Sequence, residues 1–339
     1  MRKIRIGQIG IGHNHGEAKM LAVRKFPELF EVVGYAEEDE KWIKKRGCLK
    51  GYEGIVRLSA EEVIERSDAV LIECDVWNLT RYADMCIKAG KHVHMDKPAS
   101  GTPEEFAGML NSAREKGLVV QMGYMYRYNP AVLKCLEYIK EGRIGEIYSI
   151  NAEMSTEHPR SYREWLGNFK GGGMYIFGCH LVDLIVYMLG EPKRVSSYLT
   201  SSMKEGVSVA DTNLAVLEYD RALARVFVSS VEVNGWGRRQ IVVSGERGTL
   251  SILPIENECK MTFALANSPI GPYEDIKETI DIKDIPKDSR YDDMMRDFYD
   301  YVNNNKQNPY TYDHDLLVAK IMDEIVCMDE FYKNNFIER

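Results

Sequence analysis

Over the first 125 residues the hydrophobic pattern switches back and forth between two periods. Short, nearly unbroken apolar runs at Ile4–Ile9, Glu31–Ala36, Ala69–Cys74, His92–Met95 and Leu118–Met122 predict buried strands. Between them lie stretches with helical spacing, at Gly16–Lys25 and Leu79–Ala89 and after two capping boxes, Ser59-Ala-Glu-Glu62 and Thr102-Pro-Glu-Glu105. Strand–helix alternation of this kind predicts a parallel sheet covered on both faces. The texture changes after Asn129. A helix over Pro130–Lys140 leads into strand-like segments that follow one another closely: 147–154, 195–202, 213–219, 224–233, 239–245 and 248–253. Tyr219-Asp-Arg-Ala222 and Gly245-Glu-Arg-Gly248 read as hairpin punctuation. One helix, near His180–Leu189, interrupts the series, and two more are expected at Asp292–Asn303 and Asp315–Tyr332. The fold class that follows is α/β, with a doubly wound parallel sheet in residues 1–125. Residues 126–339 then form an α+β domain with a large, mostly antiparallel sheet, and the C-terminal helices have the option of packing back on the first domain.

Composition narrows the class without naming a reaction. The 339 residues are 45% hydrophobic and 28% charged, as expected of a folded chain of about two domains. The net charge of −8 argues against nucleic acid or an anionic membrane as partner, because phosphate binding needs a basic field. The seven cysteines are scattered singly with no C-x-x-C, which fits reduced thiols in a cytoplasm rather than a disulfide framework or a zinc ribbon. The N-terminus enters a glycine turn within ten residues, leaving no space for a signal peptide.

The first candidate site lies where the first strand meets the first helix, in Gly10-Ile-Gly12-His13-Asn14-His15-Gly16. The first glycine suits a tight turn, and the second lets backbone approach a pyrophosphate at a helix N-terminus, as in a Rossmann dinucleotide site. The usual third glycine is replaced by His15. Glu37 ends the second strand, where a carboxylate can accept from adenosine ribose hydroxyls and repel a 2′-phosphate, so NAD is expected in preference to NADP. His13/His15 and His92/His94 form two H-x-H pairs. Alternate strand residues share a face in any case and no further ligand set accompanies these pairs, so no metal is expected.

Lys97 stands between Asp96 and Pro98 at the end of a strand, a stiff mounting for a flexible cation. Together, the G-x-G turn, the stretch AGKHVHMDKPAS, GYMYRYNPAV (123–132), GGGMYIFGCHLVDLIVYMLGEP (171–192) and VSGERGTLSI (243–252) resemble the Gfo/Idh/MocA oxidoreductase family over essentially the whole chain. In that resemblance Asp96-Lys97-Pro98 corresponds to the family's E-K-P motif, with aspartate in place of glutamate. It implies that Lys97 faces the substrate's reacting oxygen beside the nicotinamide, that His180 is the general base, and that Asp183, three residues on, orients it. Gly10, Gly12, His13, Asn14, Glu37, Trp77, Asn78, Asp96, Lys97 and Pro98 would then contact the cofactor. Trp77 would either stack on it or pack the loop.

Tyr126, Arg127 and the segment carrying Tyr162, Arg163 and Trp165 would face a sugar-like substrate, unless the latter is an ordinary solvated loop; Trp236 is either a lid or an interface aromatic. Family dehydrogenases commonly carry an aspartate four residues before the histidine, where this chain has Ile176. The reaction implied is NAD-dependent oxidation of a secondary alcohol of a sugar, cyclitol or derivative, in a homodimer or homotetramer formed through the C-terminal sheet. Two alternatives share the constellation: an NAD-binding, sugar-responsive regulator without turnover, and a lyase or glycosidase that recycles its NAD.

Overall fold

The computed structural model describes residues 2–256, 258–266, 277–282 and 289–327. The chain divides into two compact units, Met1–Tyr128 with Pro286–Leu316, and Asn129–Ile285 with Leu317–Arg339.

The first unit holds a six-stranded sheet of β1 (Ile4–Ile9), β2 (Phe30–Ala36), β3 (Arg57–Leu58), β4 (Ala69–Ile72), β5 (His92–Met95) and β6 (Val120–Met122). Every pairing in it is parallel and the order is β3-β2-β1-β4-β5-β6. That is the doubly wound order, and its reversal between β1 and β4 creates the crevice where such sheets take ligands. The strands are apolar because both faces are covered. Ala69, Val70, Leu71 and Ile72 are all fully buried. The crossovers are α1 (Gly16–Arg24), α2 (Glu40–Arg46), α3 (Ala60–Arg66), α4 (Leu79–Lys88) and α5 (Pro103–Glu115). Both anticipated capping boxes form, at Ser59/Glu62 and Thr102/Glu105.

In the second unit α6 (Pro130–Lys140) precedes an eight-stranded sheet. Its strands are β7 (Ile147–Glu153), β8 (Arg194–Thr200), β9 (Thr212–Glu218), β10 (Leu223–Ser229), β11 (Gln240–Gly245), β12 (Gly248–Ile252), β13 (Met261–Leu265) and β14 (Lys277–Ile280). The order is β14-β13-β12-β11-β7-β10-β9-β8, antiparallel except for β7 with β10. Between β7 and β8 lie α7 (Arg160–Leu166) and α8 (Cys179–Leu189). α8 packs on β7 and β10. It is apolar nearly all round, and Cys179–Val186 are buried without exception. Each fully buried Leu or Ile there contributes roughly 1.5–3 kcal/mol.

Two C-terminal helices complete the chain, α9 (Asp292–Val302) and α10 (Tyr312–Cys327). α9 belongs to the first unit and packs against α1, with Phe298 edge-on to His94 and Tyr299 edge-on to Phe30. The end of the anticipated last helix, 328–332, lies outside the described residues. Three expectations need correcting. The segment anticipated as a loop at 160–166 is a helix, because Arg160 and Glu164 pair across one turn and Leu166 anchors it in the core. The segment 224–233 stops being strand at Ser229, after which Ser230 turns to donate its N–H to the Asp211 carbonyl. β3, β13 and β14 were not anticipated. All seven cysteines are free thiols, and no helix among the described residues is long and apolar enough to cross a membrane.

Candidate functional site

One candidate region, in the first unit, is the C-terminal edge of the parallel sheet. Gly10 follows β1 at φ +83°, and a Cβ there would meet the Cys74 backbone at 2.2 Å, so only glycine makes this turn. Buried Gln8 steadies it, donating to the Gly10 carbonyl and to the Tyr52 hydroxyl at 2.8 Å each. Gly12 lies under the Trp42 indole, which donates to Asp75 at 3.1 Å. Glu37 sits where expected, but as part of the turn. Its Oε2 accepts from the Ile11 N–H at 2.9 Å, and its Oε1 from the N–H groups of Glu38 and Asp39. The exposed side chain of Asn14 accepts from Arg46 at 2.6 Å, and Arg46 also donates to the His13 carbonyl. α1 begins after His15 with no side-chain cap, which leaves its first turn's N–H groups suited to an anion. Glycine turn, uncapped helix and Glu37 therefore fit the pyrophosphate and ribose of a dinucleotide. Past β4, Trp77 is half exposed and Asn78 closes a short turn by donating to the Asp75 carbonyl.

Beneath the turn lies an ionic cluster in which Lys19, Glu73 and Asp96 are fully buried. Lys19, on α1, donates from Nζ to Glu73 Oε1 at 2.8 Å and to Asp96 Oδ2 at 2.6 Å. His13 and His15 bring their Nδ1 atoms to 3.0 and 2.9 Å of the same Asp96 oxygen. Asp96 Oδ1 accepts the Lys97 N–H at 2.7 Å, and the Lys97–Pro98 peptide is cis. The aspartate thus folds back on the peptide that follows it and holds the corner on which Lys97, itself buried, is mounted. On the far side His94 pairs through Nδ1 with Gln121 Oε1 at 2.8 Å. Burial lowers His13 and takes His15 and His94 down to about 3. Burial also drives Glu73 well above the usual carboxylate range. For Asp96 the same effect is outweighed by His13, Lys19 and His15, which hold it well below that range. His13, His15 and Asp96 stand close enough together to ligate a metal, and the cation at that point of the cluster is the Lys19 ammonium.

A second candidate region, in the second unit, is the entry to α8. Gly172, at φ +49°, would place a Cβ 2.5 Å from the Ala210 carbonyl, and Gly173 one 2.6 Å from Ser230 Oγ. The glycines thus let the chain lie directly on the sheet's neighbouring backbone. A π-helical turn over Met174–Gly178 follows, carrying Ile176, and α8 then presents buried His180 and, one turn on, buried Asp183. Such turns recur at functional sites.

His158, Tyr162 and Phe177 form a three-ring cluster, with His158 4.3 and 5.1 Å from the other two and those 6.3 Å apart, and Trp165 leans on Tyr162 at 5.1 Å. Burial lowers His158 to about 4. Tyr162, Trp165 and the turn leading to His180 are therefore brought together. Arg163 is buried beside them, and its donors go to the carbonyls of His158 and Lys204 and to the Glu205 carboxylate. Trp236 lies over the Arg239 guanidinium at 4.0 Å. In the first unit Tyr126 is buried. Arg127 is buried too, paired with Asp315 at 2.5 Å and lying over the rings of Tyr310 and Tyr124.

Two family models cover most of the chain. Residues 4–124 match the oxidoreductase family with an NAD-binding Rossmann fold, and residues 132–251 match the GFO/IDH/MocA C-terminal domain. The chain belongs to the Gfo/Idh/MocA family of oxidoreductases. Among its relatives are scyllo-inositol 2-dehydrogenase (NADP(+)) of Bacillus subtilis, 27% identical over 46% of this chain and 44% of that protein, and levoglucosan dehydrogenase of Pseudarthrobacter phenanthrenivorans, 26% identical over 60% and 56%. The chain thus matches about half the length of these curated relatives. Solved structures similar in fold include a levoglucosan dehydrogenase in complex with NADH and L-sorbose, with a TM-score of 0.83, 20% identity and coverage of 98% and 97%. A putative NADPH-dependent oxidoreductase from Desulfitobacterium hafniense has a TM-score of 0.82, 19% identity and coverage of 97% and 96%.

Lys19, Trp42, Arg46 and Glu73 in this Gfo/Idh/MocA oxidoreductase escaped the sequence reading. Two of them carried a signal. Glu73 is a carboxylate closing the apolar run AVLIEC, and Lys19 occupies the same helical face as buried Met20 and Val23. Nothing in the spacing marks Trp42 or Arg46.

Proposed function

We propose that this protein is an NAD-dependent dehydrogenase that oxidises a secondary alcohol of a sugar, a cyclitol or a derivative of one. The observation that carries the reading is the mounting of Lys97, whose corner is fixed by Asp96 at the C-terminal edge of the parallel sheet, next to the glycine turn. A bound nicotinamide dinucleotide supplies the hydride acceptor. Lys97 hydrogen-bonds the substrate hydroxyl and stabilises the developing alkoxide, while His180, on a rigid buried helix, accepts the proton, and Asp183 orients its ring. Glu37, facing the ribose, favours NAD over NADP. Tyr162 and Trp165 offer the aromatic surface that sugar rings stack on. Relatives acting on inositol and levoglucosan support the substrate class.

The test is NADH formation by purified protein across inositols, aldoses, sugar acids and aminosugars. Lys97→Ala should abolish the signal and leave dinucleotide binding intact. Dinucleotide binding without reduction by any alcohol would overturn the dehydrogenase reading in favour of NAD recycling or sensing, the readings that buried, apolar Ile176 favours. We infer further that the outer face of the second sheet, with half-exposed Leu214, Val216, Phe227 and Val242 and exposed Tyr198, pairs with a second copy. Light scattering on Phe227→Glu, expected to shift the mass toward monomer, checks this.

A further inference from the structure

The buried cluster under the glycine turn contains two ionisable residues, Lys19 and Glu73, to which the reaction as drawn assigns no task. Both are fully buried, and each joins segments distant in the chain: Lys19 bridges to Glu73, 54 residues on, and to Asp96, 77 residues on. Packing alone gives no reason for them. Buried ion pairs are commonly replaced by apolar side chains without loss of stability, so their presence speaks for geometry more than for stability. What they hold is specific. Asp96 Oδ2 receives Lys19, His13 and His15, whereas Asp96 Oδ1 receives the backbone of Lys97. One carboxylate therefore ties helix α1 and the glycine turn to the lysine corner, and Glu73 extends the tie to the end of β4.

Gly123 makes the same point from the other side. Its φ is unexceptional, yet a Cβ would fall 2.7 Å from Lys19 Nζ and 3.1 Å from Asp96 Cα. The glycine at the end of β6 leaves the space that the ammonium and the aspartate occupy.

We propose that Lys19 and Glu73 are positioning residues: with Asp96 they form a buried tie that holds the Lys97 corner in register with the glycine turn, so that the Lys97 ammonium meets the reacting hydroxyl only while the tie is intact. This rests on the dehydrogenase reading for its consequence in turnover, but not for its geometry. The tie acts on Lys97 and not on the dinucleotide's own contacts, so loosening it should slow chemistry more than binding.

Two variants test it. Glu73→Leu is close in size and removes the acceptor that Lys19 uses on this residue. Gly123→Ala changes no charge and displaces the ammonium sterically, and it decides the matter if Glu73→Leu fails to fold. For each, thermal midpoint, dinucleotide affinity, kcat and KM are measured, together with the rate at which acetic anhydride labels Lys97, read by mass spectrometry against the other lysines. The expected result is a kcat lower by about 10- to 100-fold, with KM and dinucleotide Kd within about threefold of wild type and Lys97 labelling changed by about threefold or more. Wild-type kcat and wild-type Lys97 labelling in a folded variant would overturn the proposal. So would a parallel loss of midpoint, affinity and kcat with Lys97 labelling unchanged relative to the other lysines, the mark of a merely structural role. If the wild-type protein reduces no dinucleotide with any alcohol, the dehydrogenase reading falls. The tie is then judged on labelling alone, where a changed Lys97 rate supports it and an unchanged one overturns it.

Discussion

His94 gives a stability prediction whose sign and size follow from its surroundings. It is completely buried on β5, hydrogen-bonded through Nδ1 to Gln121 and edge-on to Phe298. Burial holds it near 3, against 6.5 for an exposed histidine. Because the folded pKa lies below the unfolded one, the unfolded chain binds the extra proton. The stability His94 permits is therefore complete above about pH 6.5 and is lost as pH falls toward about 3. Integrating between those limits, the drop from about pH 7 to about pH 5 costs about 2 kcal/mol for this one side chain. Glu73 runs the other way, since its raised carboxyl takes up a proton in the folded state and gains stability on acidification. It titrates in wild type and variant alike, so the comparison with His94→Gln removes it. Urea unfolding of both proteins at pH 7 and pH 5 is the assay. The stability advantage of wild type over His94→Gln should shrink by about 2 kcal/mol at the lower pH. An advantage that is equal at both pH values would refute the claim that burial keeps this imidazole neutral.

Other substitutions probe the remaining parts. Gly172→Ala, at φ +49° and with a Cβ 2.5 Å from a carbonyl oxygen, should cost about 2–4 kcal/mol in urea unfolding. Gly117→Ala, at φ +63° with open space around it, should cost only about 1–2 kcal/mol. Ile176→Asp places a carboxylate at a site only 4% exposed and should destabilise by about 3 kcal/mol, with no gain of inositol oxidation; a stable variant that oxidises inositols would refute this. Glu37→Ser removes the charge proposed to face the ribose and should lower the ratio of kcat/KM for NAD over NADP by about tenfold or more, measured with both cofactors on the same alcohol.

The parallel sheet was legible because its strands are buried on both faces and so form apolar runs, as in AVLI of β4, separated by capped helices. β3 was not, since two residues at an edge carry no period, and β13 and β14 lack the tight turn signals of their neighbours. The helix at Arg160–Leu166 was hidden by its length. Two turns with a His-Pro entry and several arginines read like a solvated loop, and what makes it a helix is partly tertiary, in Leu166 and Arg163 turned into the core. The triple glycine was legible as a motif, but not its cause, because the atoms it makes way for belong to Ala210, Ser230 and Val326, far along the chain.

The same distinction runs through the candidate site. Residues placed by local geometry, such as Gly10 and Glu37, could be named from spacing, and the Lys97–Pro98 corner from the family resemblance. The H-x-H pairs could not be interpreted, because their meaning depends on partners that only folding supplies. His13 and His15 meet Asp96, and His94 meets Gln121. Two histidines and an aspartate at bonding distance would ordinarily suggest a metal. Here Lys19 reaches the same oxygen at 2.6 Å and brings the positive charge from within the chain. A cation attached to a helix differs from a free ion in one respect that matters for catalysis. It cannot leave, so the ion pair that joins the first helix to the lysine corner keeps its cation tethered to the helix. An aspartate one methylene shorter than the family's usual glutamate is then a consistent choice beside a turn that carries His15 where the third glycine is usual.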